Sequence, residues 1–121
     1  MDQPSERIRQ LTKNMWKKKF YAVFWHGTDA DLAPLLPEHL EYMIAIERDG
    51  KMLASGPLDF GKGSDGMTVL RVDSEAEARA IAGNDPFVTN GIRTFTIREW
   101  LVMEGSFSIK VNFSDRSIEM A

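Results

Sequence analysis

The sequence predicts an α+β domain whose elements run β-α-β-β-α-β. Three observations lead there. Phe20-Tyr21-Ala22-Val23-Phe24-Trp25 is apolar without interruption and reads as a strand. Two later stretches carry apolar or small residues behind helix-start signals, one around Pro34 and Pro37, the other at Ser74. Between and after them lie short segments of strand character, of which 93–102 alternates polar and apolar side chains with period two. A chain of 121 residues suits one such domain, and its 43% hydrophobic and 27% charged residues exclude a disordered chain.

Each element has a local reason. In 1–18, Ile8, Leu11, Met15 and Trp16 fall on one helical face, so a helical extension is expected there. Lys17-Lys18-Lys19 then leads into the apolar strand. A strand with no polar face belongs in the middle of a sheet covered on both sides. A loop with Thr28, Asp29 and Asp31 precedes a helix from Pro34 or Pro37 to Arg48, because proline is tolerated only in the first turn. Leu36, Leu40, Met43 and Ile46 or Glu47 form its expected buried stripe, and Asp49-Gly50 turns the chain.

A second strand is expected over 51–55, stopped by Gly56-Pro57, and a third over 67–72. The loop between them, Gly61-Lys62-Gly63-Ser64-Asp65-Gly66, lacks the spacing of a phosphate-cradling loop. Ser74 and Glu77 make a capping box for a helix over 75–83, where Ala76, Ala78, Ala80 and Ala82 allow close packing on a sheet. Asp85-Pro86 reads as cap and first residue of a short helical turn, which Gly91 ends. In 93–102, Thr94, Thr96 and Arg98 alternate with Phe95 and Ile97. In the tail, Phe107, Ile109, Val111 and Phe113 alternate with polar residues, which predicts a further half-buried strand that extends the sheet edge or crosses to a partner.

This order is the split β-α-β-β-α-β arrangement of ferredoxin-like folds. Two helices cover one sheet face, so Tyr21, Val23, Trp25 and Trp100 point to a homodimer packed sheet against sheet, with an extra C-terminal strand. About 800 Å² per partner is the usual scale of such contacts. The expected divisions are an N-terminal helical extension 1–18, the ferredoxin-like domain 19–103 and a C-terminal strand extension 104–121.

Composition removes several functions. A net charge of −3, with both signs interspersed, speaks against duplex nucleic acid as a partner. The chain has no cysteine, which removes disulfides, thiolate nucleophiles and cysteine-based metal sites and fits a cytoplasmic protein. No stretch reaches the ~20 apolar residues of a membrane span, and no signal-peptide core is visible.

Two histidines are the side chains suited to proton transfer at neutral pH. His39 lies on the apolar stripe of its helix, three residues after Leu36 and four before Met43, and reads either as a general base or as a buried structural histidine. Asp85 reads as a helix cap that can also orient a histidine. His26 ends a strand near the start of the His39 helix, either lining the same pocket or lying at the surface. Ser55 stands outside a nucleophile elbow and is expected at most to bind substrate. Trp25 and Trp100 are candidate aromatic walls for a planar molecule. Two histidines thirteen apart make no recognisable metal-ligand set.

Leu36-Pro37-Glu38-His39-Leu40, Gly50-Lys51-Met52-Leu53-Ala54-Ser55-Gly56-Pro57 and Asn84-Asp85-Pro86-Phe87 with Gly91-Ile92 together resemble the YciI-like, or YCII-related, family. The resemblance covers roughly residues 19–102. It implies a ferredoxin-like dimeric α/β barrel with a His-Asp active site, which falls on His39 and Asp85 here. One branch of the family is similar to a dehydrochlorinase of a chlorinated hydroxyquinol. The family often carries arginine just before its Pro-x-His, where this chain has Leu36.

The expectation is therefore a cofactor-independent lyase or isomerase for a small cyclic or aromatic oxygenated compound. His39 would be the base and Asp85 its orienting group. The alternative is a non-catalytic small-molecule-binding or accessory domain using the same pocket.

Overall fold

The computed structural model describes residues 4–120, which divide into two compact units, 19–101 and the two terminal segments. Unit 19–101 holds β1 (Lys18–Gly27), α2 (Leu36–Arg48, preceded by a 3-10 turn at Ala33–Leu35), β2 (Met52–Pro57), β3 (Gly66–Leu70), α3 (Glu75–Gly83), α4 (Pro86–Thr89) and β4 (Arg93–Val102). The terminal unit holds α1 (Pro4–Thr12), β5 (Ile109–Val111) and β6 (Ile118–Met120). No helix among the described residues is long and apolar enough to cross a membrane.

The four strands form one sheet in the order β2-β3-β1-β4, the ferredoxin-like order. β1 and β2 each pair antiparallel with β3. Lys19 at the start of β1 reaches Glu99 near the end of β4, and Thr28 just past β1 donates to the Ile92 carbonyl just before β4, so this pair is antiparallel too. Tyr21, Val23, Trp25 and Leu70 face Met43 and Ile46 of α2 and Ala78 and Ala82 of α3 in one core, with Phe95 and Ile97 packed against it. Ala78 and Ala82 are fully buried, as expected of small residues that let α3 approach the sheet. The capping box is present: Ser74 Oγ accepts from the Glu77 N–H at 3.1 Å.

One irregularity places a side chain. Met52 pairs with Leu70 and Ser55 pairs with Thr68, so three residues of β2 span two of β3, with the register shift between Met52 and Ala54. Such a bulge reverses which residues face which side. It turns Ser55 toward the helices, onto the face of Thr68 and Met52.

Several expectations change. β2 runs through Gly56 to Pro57 instead of stopping at Ser55, and α1 ends at Thr12, so Met15 and Trp16 lie beyond it. Leu36 and Leu40, read as core stripe, are exposed, and α2 buries only Met43 and Ile46. The tail does not extend the four-stranded sheet: β5 and β6 pair antiparallel as a two-stranded sheet of their own, Lys110 opposite Glu119. Of the residues read as needing a covering partner, Tyr21, Val23 and Trp25 lie instead under α2 and α3, and Trp100 has the opposite parity. Phe20, Ala22 and Val69, which lie on the sheet face away from α2 and α3, are buried already in the single chain.

In the terminal unit, the Trp16 N–H donates to the Met103 carbonyl at 3.4 Å, joining the N-terminal to the C-terminal segment. Arg9 pairs with Glu6 along α1. Ile8, Leu11 and Trp16 are exposed, as are the apolar residues of β5 and β6.

Candidate functional site

Asp85 occupies the N-cap position of α4, with extended backbone and proline following, yet its side chain makes no capping bond. Its backbone carbonyl accepts from Val88 and Thr89, and the carboxylate turns the other way. His39 Nδ1 lies 2.6 Å from Asp85 Oδ1. An ionised carboxylate can only accept, so opposite it Nδ1 is the donor, and in the neutral ring Nε2 then keeps its lone pair. Asp85 is 0% exposed and its Oδ2 has no partner among the described residues, whereas the His39 side chain is 12% exposed. Nε2 has no hydrogen-bond partner among the described residues.

The imidazole is held by its face as well as by its edge. The Phe87 ring stacks on it with centroids 4.3 Å apart and planes 17° from parallel. Phe87 follows Pro86 in α4, so one short turn supplies both the group that orients the base and the ring that supports it.

His39 lines a cleft of about 910 Å³ within unit 19–101, between α2, β2 and the loop joining β2 to β3. Trp25, Ser55, Phe87 and Arg93 share that lining. Ser55 Oγ lies 2.7 Å from Thr68 Oγ1, which also accepts from Trp25 Nε1 at 2.8 Å, so a buried hydroxyl ties both residues to the cleft wall. The exposed Phe60 stands at the rim. Among the described residues, no three His, Asp or Glu side chains come together as metal ligands.

His26 and Trp100 are not brought to this cleft. His26 follows Trp25, so period-two alternation points it to the opposite sheet face, where its Nε2 meets Thr96 Oγ1 at 2.8 Å. Trp100 shares the parity of Thr94 and Thr96 on β4 and therefore that same face. Alternation therefore places neither beside His39.

Sequence reasoning missed Arg93 and gave Phe87 no role. Arg93 is buried at 6% exposure, with its guanidinium carbon 5.4 Å from the ring centres of both Trp25 and Phe87. Its Nη2 donates to the Ser64 carbonyl at 2.9 Å. Burial lowers its pKa, against the opposing pull of Asp85 and then Asp65. A signal was present: Arg93 has the parity of Phe95 and Ile97, the buried side of the strand.

Comparisons with known proteins agree with this architecture. The uncharacterized protein YjpA of Bacillus subtilis (strain 168) is 32% identical over 62 residues, 51% of this chain and 71% of that protein. The structure of 5-chloro-2-hydroxyhydroquinone dehydrochlorinase (TftG) from Burkholderia phenoliruptrix AC1100, in complex with 2,5-dihydroxybenzoquinone, superposes with a TM-score of 0.56. That match covers 67% of this chain and 92% of the other at 17% identity, a likeness of fold. Residues 19–101, which contain the whole sheet-and-helix unit and every residue of the cleft, match the YCII-related domain, and the chain belongs to that family.

Proposed function

We propose that this chain is a cofactor-independent lyase or isomerase for a small cyclic or aromatic oxygenated compound, with His39 as general base and Asp85 as the group that orients it. The observation that carries this reading is the 2.6 Å contact between His39 Nδ1 and the fully buried Asp85 Oδ1, made by a carboxylate that leaves its own helix uncapped. A cap that only served folding would bond to its own helix N–H groups.

The chemistry follows from the free nitrogen. Nε2 takes a proton from a carbon or hydroxyl of the ligand, and the electron pair left behind forms a new double bond. In a lyase that pair expels a leaving group from the neighbouring carbon. In an isomerase the imidazolium returns its proton at another carbon. Asp85 stabilises the imidazolium through the bond it already makes. The cleft of about 910 Å³ has the size and apolar lining of a small-molecule site. The likeness of fold to a dehydrochlorinase of a chlorinated hydroquinone supports this class of substrate.

The test is a panel of hydroxylated and chlorinated hydroquinones, followed by absorbance and by chloride release, with wild type, His39→Ala and Asp85→Asn. We expect turnover of at least one compound and a loss of about 10²–10⁴-fold in His39→Ala, the usual contribution of a general base. Full turnover in a folded His39→Ala would remove His39 from the mechanism. Saturable binding with no chemical change across the panel would favour a ligand-binding module instead.

A further inference from the structure

Arg93 stands where the strand pattern asks for an apolar side chain, and arginine is almost never buried this far without partners. Its guanidinium has five N–H donors. One, on Nη2, goes to the Ser64 carbonyl at 2.9 Å. Nε is buried with no partner among the described residues. Nη1 has no partner among the described residues and, unlike Nε, is not sealed from solvent.

The surroundings are shaped to hold this group. Gly66 leaves the space it fills, since a Cβ there would lie 2.7 Å from Nη2. Trp25 and Phe87 flank it at 5.4 Å each, and Phe87 also carries the His39 ring. A proton acceptor and a fixed cation with spare donors therefore share one aromatic wall of one cleft. The charges of opposite sign there differ in setting: Asp31, Glu47 and Asp65 of the lining are exposed and screened by water, whereas the buried Asp85 acts on Arg93 at depth but spends Oδ1 on His39 and makes no ion pair with the guanidinium.

We infer that Arg93 is the anion-holding residue of the cleft, and that the ligand is a planar molecule carrying one ionised oxygen of the phenolate or enolate kind. This deepens the proposed function and rests on its cleft. When His39 removes a proton, the charge left on the ligand delocalises onto an oxygen, and a charge-assisted N–H of Arg93 receives it. The acidic rim disfavours a second ionised group.

The test is calorimetric titration with 2,4-dinitrophenolate and with its uncharged methyl ether, 2,4-dinitroanisole. We expect wild type to bind the phenolate at least ten times more tightly than the ether, and folded Arg93→Met to bind the two alike. In wild type, the guanidinium N–H resonances of Arg93 should move on adding the phenolate and stay on adding the ether, a reading that needs no variant. The inference is overturned if wild type does not prefer the phenolate, if those resonances do not move, or if folded Arg93→Met keeps the preference. The last result would leave Arg93 as an internal counter-charge to Asp85. His39→Ala separates the two readings. Lost phenolate preference in Arg93→Met with full turnover in His39→Ala keeps the anion site and removes the base. Lost turnover in His39→Ala with preference retained in Arg93→Met does the reverse.

Discussion

Phe87 and His39 form a parallel stack, 4.3 Å between centroids, and this contact controls the plane of the imidazole while Asp85 controls its rotation within that plane. Phe87 is fully buried and also borders the Arg93 guanidinium. We expect Phe87→Ala to lower stability by about 3–5 kcal/mol, as for other buried phenylalanines. Phe87→Leu should lose less stability while still freeing the His39 ring. Urea denaturation combined with side-chain relaxation of His39 checks both; an equally ordered ring in Phe87→Leu would show that Asp85 alone suffices.

The Asp85 bond sets the tautomer. With Oδ1 accepting at 2.6 Å, the His39 proton resides on Nδ1. An asparagine can present either its amide donor or its carbonyl, so Asp85→Asn should raise the share of the Nε2–H form. The ¹⁵N ring spectrum of His39 at a pH where the ring is neutral reports this directly, and an unchanged tautomer ratio would contradict it.

Thr68 is a single hydroxyl on which two cleft residues depend. It is buried, accepts from Trp25 Nε1 at 2.8 Å and lies 2.7 Å from Ser55 Oγ. Thr68→Val keeps the shape but leaves the indole N–H without an acceptor, which should cost about 1–3 kcal/mol. Thr68→Ser should recover most of that loss, and the midpoints of denaturant unfolding measure the difference.

Tyr42 offers a pH-dependent test of stability. Its hydroxyl donates to the Ile81 carbonyl at 2.7 Å, and burial first, then the charge of Asp85, raises its pKa above the ordinary 10.0. The folded state therefore holds this proton longer than the unfolded one. Its contribution is full below about pH 10 and is lost as pH rises through the folded value. The stability difference between wild type and Tyr42→Phe should shrink above pH 10; a constant difference from pH 7 to 11 would rule out this linkage.

Ser74 serves as a local control. Its hydroxyl accepts from the Glu77 N–H at 3.1 Å and nothing ties it to the cleft. Ser74→Ala should cost about 1 kcal/mol of stability and leave ligand binding unchanged. Thermal unfolding and calorimetry on the same sample measure both.

Much of this molecule was legible in the sequence because its signals are local. The apolar run 20–25, the capping box at Ser74 and Glu77, and Pro37 and Pro86 in first turns each act within one or two turns of chain, and each element stands where those signals put it. What the sequence could not give was direction across the fold. Ser55 faces the cleft only because a bulge in β2 shifts its register by one residue. His26 faces away because it follows Trp25 on a strand, and alternation is strict. Arg93 hid in the buried parity of β4, since a charged residue in an apolar pattern reads as an interruption until its surroundings are known. His39 and Asp85 are 46 residues apart, and neither carries a local mark of the other. By itself the sequence determined the order of strands and helices within 19–101, because hydrophobic period and capping are short-range; in the tail it gave one strand and not its partner β6. Only the tertiary structure decided that a helix-cap carboxylate bonds a histidine rather than its own helix, because that choice depends on the packing of α2 against α4, which brings the His39 donor within hydrogen-bond reach.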